Sequence, residues 1–210
     1  DPADIKPVAP DDPRAHVPAD EALAELSRDV PTPSAERSTI APRDALQHYV
    51  DARAALIERR IQDAIAEFQL AAKADPNAPE IWACLADAYR AASRDSDAAR
   101  ALTRAVELGH SSPNAHWFLA RDAANARNLP LAAHHLLRAR DSLKPASDPA
   151  LSHLIAYDAA QLLESQSYFA AARDQLENAL ENHAPTQNPP PHHNQHTDDK
   201  RKNNKHKNQK

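Results

Sequence analysis

The chain is poor in several residue types that stabilise small folds or build common catalytic sites. Its 210 residues include one cysteine, one glycine and no methionine, and aromatic residues make up only 4%. The single cysteine, Cys84, excludes an internal disulfide and a cysteine-based zinc site. No apolar run approaches the roughly 20 residues that cross a bilayer, so we expect no membrane span. The sequence also lacks the glycine-rich loops that hold the phosphate groups of cofactors.

Proline and acidic residues dominate the beginning of the chain. Residues 1–44 hold eight prolines, and ten acidic residues against five basic ones. Because proline blocks long helices and ladder hydrogen bonds, this segment is predicted to be an extended, disordered acidic arm or linker. One stretch, Ala19–Asp29, places Leu23 and Leu26 on one face of a short helix. Two interpretations stay open: a transient helix, since so short a helix is unstable alone, or a helix that docks on a repeat array.

The end of the chain has a different composition. Residues 183–210 contain no apolar side chain after Ala184 and hold six basic residues against two acidic ones. Such a segment cannot bury enough apolar surface to offset the entropy lost on ordering, so it is predicted to be a disordered tail. Its basic residues lack aromatic neighbours that would stack on bases, and we therefore expect no specific nucleic-acid partner.

The central residues contain a triplet of alanines that occurs four times. The first two steps between copies are 34 residues each and the third is 40. The copies are Ala52, Ala64 and Ala71; Ala86, Ala98 and Ala105; Ala120, Ala132 and Ala139; and Ala160, Ala172 and Ala179. A period of 34 with small residues at fixed places is typical of helix-turn-helix repeats whose paired helices approach closely. The pattern predicts an all-α domain over 45–182 with repeats at 45–78, 79–112, 113–152 and 153–182.

The second repeat most clearly resembles the tetratricopeptide repeat (TPR) family. It begins at Pro79 and carries Trp82, Leu85 and Tyr89 in its first helix, at spacings similar to the family pattern. The resemblance implies an α-solenoid of four stacked repeats with a concave inner face. A large residue at the twenty-fourth position is expected to fill the gap between adjacent helices, and these residues are Phe68, Leu102, Leu136 and Leu176.

Two features depart from the family pattern. The fifteenth position, in the turn between paired helices, is usually glycine because glycine adopts positive φ without steric cost. The residues found there are Arg59, Ser93, Arg127 and Ser167. They predict either a rearranged turn or strain on the order of 1 kcal/mol in each copy. The fourth repeat also follows a six-residue insertion, Lys144–Pro149, which is interpreted as a longer connection or, alternatively, as a binding loop.

The resemblance also implies where a partner would bind, because first helices line the concave face of such arrays. Tyr49, Trp117 and Tyr157 share the fifth position of three repeats. Aromatic residues with arginine dominate interface energetics, which favours a peptide groove; the alternative is that the rings only pack between repeats. The candidate partner-binding residues are Tyr49, Arg53, Glu80, Asp87, Arg90, Asn114, Trp117, Arg121, Asn125, Tyr157 and Gln161.

Catalytic and metal-binding patterns are missing from the sequence. His134 and His135 are adjacent on a predicted helix and point about 100° apart, so they cannot easily share one metal. His48 and His116 share the fourth position of their repeats, where we expect packing or surface contact. We therefore predict no catalytic residues, no cofactor and no metal, and a chain that is not an enzyme.

The sequence favours a scaffold that binds a protein or peptide segment in a concave groove. The alternative is a scaffold fragment of a larger multidomain enzyme or of a bacterial envelope assembly protein. Such a fragment would form homo-oligomers through uncapped terminal repeats, because no capping helix follows Asn182 and an uncapped end exposes apolar surface. The chain starts at Asp1 without a methionine, so we expect a processed or partial chain. We expect it to be soluble, in the cytoplasm or the bacterial periplasm.

Overall fold

The described residues fold almost entirely into helices. A computed structural model of the protein describes residues 13–31, 41–143 and 148–181, and within these ranges no strand forms, which confirms the all-α prediction there. The predicted tail 183–210, and parts of the predicted arm and insertion, lie outside the described residues. After a 3-10 turn at Pro13–His16, the helices are α1 (Ala19–Leu26), α2 (Arg43–Ile57), α3 (Ile61–Ala74), α4 (Pro79–Ala91), α5 (Asp95–Glu107), α6 (Pro113–Asn125), α7 (Leu129–Ser142), α8 (Pro149–Ser165) and α9 (Phe169–Glu181).

From α2 onward, the helices pack as pairs in chain order. The most extensive contacts join α2 to α3, α4 to α5, α6 to α7 and α8 to α9, and each pair contacts the next through α3–α4, α5–α6 and α7–α8. Three residues connect the two helices of every pair, so the partners run antiparallel. The result is a repeat-like arrangement of four helix pairs.

Proline sets where several first helices begin. Pro79, Pro113 and Pro149 each occupy the first turn of α4, α6 and α8. Proline suits this position because its fixed φ is helical and its missing N–H would have no partner inside the helix. The helix α8 therefore starts four residues before His153, where the sequence pattern places the start of the fourth repeat. Its first turn is fixed by the Asp148 side chain, which accepts a hydrogen bond of 2.9 Å from the Leu151 N–H.

The alanines of the repeating triplet lie where helices contact one another. Eleven of the twelve have described side chains, and their exposed fractions run from 0% for Ala52 to 7% for Ala172. The side chain of Ala179 lies outside the described residues. A methyl group at these places lets two helix backbones approach closely, and a larger side chain would have to displace a helix. The periodic alanines therefore explain the pairing.

The twenty-fourth position behaves differently at the end of the described array. Phe68, Leu102 and Leu136 are buried, with exposed fractions of 0%, 4% and 3%. Leu176 on α9 is 40% exposed. In the first three pairs a following pair covers this side chain, whereas α9 is the last helix that the structure describes. Burial at this position thus depends on the next pair.

The turns inside the helix pairs keep the glycine-type conformation without glycine. Arg59, Ser93, Arg127 and Ser167 have φ of 59°, 57°, 59° and 66°. In each turn the residue that follows donates its backbone N–H to the carbonyl five positions back, as Asn128 does to the Ala123 carbonyl at 2.8 Å. This bond is the hallmark of a Schellman helix end, which requires a left-handed residue. Of the two outcomes that the sequence predicts, the structure therefore has the strained turn rather than a rearranged one.

Removing the backbone strain from one of these turns should stabilise the protein. We expect Arg127→Gly to raise the free energy of unfolding by roughly 0.5–1 kcal/mol, because glycine adopts positive φ without a steric penalty. The control is Ala126→Gly, one residue earlier in the same turn, where φ is −77°. That change should lower stability by a similar amount, because glycine only adds flexibility to the unfolded chain there. Urea denaturation measures both; equal effects of the two glycines would contradict the strain.

The helix α1 packs against α7, α8 and α9, which come late in the chain. Ala22 and Leu23 are buried, with exposed fractions of 0% and 1%, and Leu26 packs against the same cluster. Of the two interpretations of Ala19–Asp29, the structure has the docked helix.

Polar contacts also fix the N-terminal segment. Asp20 forms an ion pair with Arg140 of α7. The Tyr168 hydroxyl donates a hydrogen bond of 3.0 Å to Glu25, and the Arg14 guanidinium lies 5.5 Å from the centroid of the same ring. Residues 13–31 therefore differ from the extended, disordered arm that composition predicts, because two leucines and two alanines supply enough apolar contact for docking.

Candidate partner-binding site

A pocket between α6, α7 and α8 brings together three of the predicted partner-binding residues. Its volume is about 190 Å³. The lining consists of Ala120, Arg121, Ala124 and Asn125 from α6, Leu136 from α7, and Asp158 and Gln161 from α8. Small-molecule sites usually enclose roughly 300–1,000 Å³, so this pocket suits a single side chain better than a cofactor.

The pocket combines an apolar floor with a polar rim. Ala120 and Leu136 are buried, whereas Arg121, Asn125 and Gln161 are exposed. The rim therefore offers guanidinium and amide donors together with amide acceptors. A few placed polar groups over an apolar base are what orients a bound side chain.

Trp117 links the two helices beside the pocket. Its indole N–H donates a hydrogen bond of 2.7 Å to Oδ2 of Asp158 on α8. The Arg121 guanidinium lies over the indole ring, 5.3 Å from its centroid. Stacking of this kind holds the guanidinium in place at little entropic cost. Asp158 was not among the predicted residues, although it occupies the sixth position of its repeat, next to the predicted Tyr157.

The three aromatic residues at the fifth position have different environments. Tyr49 is half-buried, with its ring 5.8 Å from that of Phe68 and its hydroxyl 3.6 Å from the Cys84 sulfur. The hydrogen bond with Cys84, followed by burial, raises the pKa of Tyr49. Tyr157 is 53% exposed, and its hydroxyl accepts a hydrogen bond from Gln161. Tyr49 thus packs between pairs, whereas Tyr157 stays available for contact.

The other predicted residues lie outside the pocket. The Arg90 guanidinium is 5.2 Å from the centroid of the Phe118 ring and 3.4 Å from the Asp87 carboxylate. The two predicted arginines on α4 and α6, Arg90 and Arg121, therefore each lie over an aromatic ring. The remaining predicted residues are exposed and do not line the pocket: Arg53, Glu80 and Asn114.

Exposed apolar side chains concentrate on the first helices of the first and last pairs. Of the seven large hydrophobic side chains that are exposed in the described residues, five lie on α2 or α8. They are Leu46, Val50, Ile57, Leu154 and Tyr157. The two middle first helices, α4 and α6, expose charged and amide groups instead, so the exposed apolar side chains of the first helices lie in the first and last pairs.

Two histidines missed as a pair by sequence reasoning meet between α6 and α7. His116 and His135 are buried, with exposed fractions of 4% and 7%, and their Nδ1 atoms are 3.2 Å apart. Burial, followed by the nearby cationic groups, lowers the pKa of His116 to about 4 and that of His135 to about 3. Burial also lowers the pKa of His134. Their spacing of 19 residues was the available signal, because it joins the fourth and twenty-third positions of one repeat.

Comparison with models of known protein families and with curated proteins found no match for this chain. Among the described side chains, no group of three or more histidine, cysteine, aspartate or glutamate residues is placed to hold a metal ion. The helices in the described part of the chain are all too short or too polar to cross a lipid bilayer.

Proposed function

We propose that this protein is a non-catalytic interaction module of the tetratricopeptide type. In this proposal the four helix pairs form a solenoid, and the first helices α2, α4, α6 and α8 line its concave face. A segment of a partner protein lies along that face and places one side chain in the pocket between α6, α7 and α8. The observation that carries the proposal is this pocket, lined by Arg121, Asn125 and Gln161.

The size and lining of the pocket support a peptide rather than a small molecule. About 190 Å³ accommodates one side chain, and the rim groups match a polar or charged group. Arg121 is already held over Trp117, so little side-chain entropy would be lost on binding.

The distribution of apolar residues supports a segment that spans the array. Exposed Leu46, Val50 and Ile57 on α2 lie at one end, and Leu154 and Tyr157 on α8 lie near the other. A partner with apolar side chains near both ends of an extended stretch would cover these residues. Burial of apolar area supplies most of the affinity of such contacts, and the polar centre supplies specificity.

Variants of exposed residues test the proposal without disturbing the core. Tyr157→Ala and Arg121→Ala should each reduce retention of a bound partner from an extract of the native source by about 10-fold or more, as expected for interface anchors. The control is Leu70→Ala on α3, an exposed apolar residue on a second helix, which should leave retention unchanged. Equal retention by all three variants and the parent protein would remove the pocket from the proposal.

A further inference from the structure

The first and third helix pairs carry a histidine contact at equivalent positions. His48 on α2 contacts Glu67 on α3, with 2.8 Å between Nδ1 and Oε2. His116 on α6 contacts His135 on α7, with 3.2 Å between the two Nδ1 atoms. Each pair is separated by 19 residues, and His48 and His116 are 68 residues apart, which is two steps of 34. We call the contact between these two positions of a helix pair a joint. The joint of the first pair consists of a histidine and a carboxylate, and the joint of the third pair consists of two histidines.

The two joints differ in the partner that each offers to a positive charge on a ring. In the first pair that partner is a carboxylate, which attracts a cation. In the third pair, one neutral ring must donate its Nδ1–H and the other must accept. When both rings are protonated, both Nδ1 atoms become donors and two positive charges face each other in a buried site.

The groups that act on the charge of His116 and His135 are His110, His134 and Arg138, and none of them is a carboxylate.

Three carboxylates on the helices that pack against α6 and α7 have partners of their own. Asp20 of α1 pairs with Arg140, and Glu107 of α5 pairs with Arg104. Asp158 of α8 accepts the Trp117 indole N–H. Protonation of the histidines therefore creates repulsion that the site cannot neutralise.

This joint lies next to the pocket. His116 directly precedes Trp117 and is one helical turn from Ala120, and His135 directly precedes Leu136. Ala120 and Leu136 form the pocket floor. Separation of α6 from α7 at the histidines would therefore pull apart the two sides of that floor.

We propose that the His116–His135 contact is a proton-operated joint, in which protonation of the pair moves α6 away from α7 and dismantles the pocket that they share with α8. The opening itself is independent of any partner, whereas its consequence for partner binding rests on the proposed function.

Trp117 reports the state of the joint directly. The chain has two tryptophans, so Trp82→Phe leaves Trp117 as the only indole. In this full-length background, lowering the pH from 7.5 to 4.5 should shift the Trp117 emission maximum to longer wavelength, with the change beginning below about pH 6.5, the ordinary histidine pKa. Far-UV circular dichroism over the same range checks that the helices persist.

Two variants separate the histidine joint from other titrating groups. His116→Asn with His135→Asn replaces both rings by amides that can form a hydrogen bond without titrating, so the emission shift should disappear. His135→Glu copies the contact of His48 with Glu67, and it should also abolish the shift. An emission shift of unchanged size and midpoint in the asparagine variant, which retains the helices at pH 7.5, would overturn the proposal.

Discussion

Replacing Phe68 by alanine should lower the free energy of unfolding by about 3–5 kcal/mol, the usual cost of deleting a buried aromatic ring. The Phe68 side chain is 0% exposed, and its ring packs edge-on against that of Tyr49. The surrounding helices cannot collapse fully into the space, because buried alanines already bring them close together. Urea denaturation of the two proteins measures the loss.

The matched control for Phe68→Ala is Leu176→Ala. Both residues occupy the twenty-fourth position of their repeats, but Leu176, on the last helix that the structure describes, is 40% exposed. Its loss should cost less than about 1 kcal/mol, in the range of partly exposed sites. Similar losses for both variants would show that stacking of one pair on the next does not determine burial at this position.

Acidification from pH 6.5 to pH 4.5 should remove on the order of 3–5 kcal/mol of stability through His116 and His135. The folded-state pKa values are about 4 and about 3, below the ordinary histidine value of 6.5. The unfolded chain therefore binds more protons than the folded chain throughout this window. The contribution of the pair is fully present above about pH 6.5 and is lost as the pH falls toward 4.

Urea denaturation at a series of pH values measures this dependence. The slope with pH should be up to about 1.4 kcal/mol per pH unit for each histidine. The variant with both His116→Asn and His135→Asn should lose most of this slope. A variant that keeps the full slope would place the acid sensitivity in other residues.

The repeating alanines and the twenty-fourth position allowed the sequence to predict the helix pairs. Each acts through contacts within a pair or with the next pair, so its role follows from spacing alone. The turns could be predicted for a similar reason. Positive φ at Arg59 and its counterparts is set by their position in the turn and not by the residues that surround them, so the fifteenth position alone indicated strain there. The sequence therefore predicts the features that depend on nearby residues: the turns, the helix pairs and the contact of each pair with the next.

Contacts between distant parts of the chain do not follow from spacing: docking of the α1 segment was one of two interpretations, but the surface that it covers was not identified. The helix α1 precedes α2 in the chain but packs on α7, α8 and α9, and no periodic pattern connects Leu23 with that surface. The pocket is similar, because Asp158 joins Trp117 from 41 residues away and across the irregular connection before α8. The contact between His116 and His135 could have been predicted, because their spacing in the sequence equals that of His48 and Glu67.

In the proposed function, the first helices present a groove that holds a partner segment. Site-specific photocrosslinking can detect such a segment in place, with a benzophenone amino acid replacing exposed Tyr157 on α8, or replacing exposed Leu70 on α3 as the control. In the native cell extract, we expect a discrete crosslinked partner from position 157 and none from position 70. No crosslink from position 157, or the same products from both positions, would contradict it.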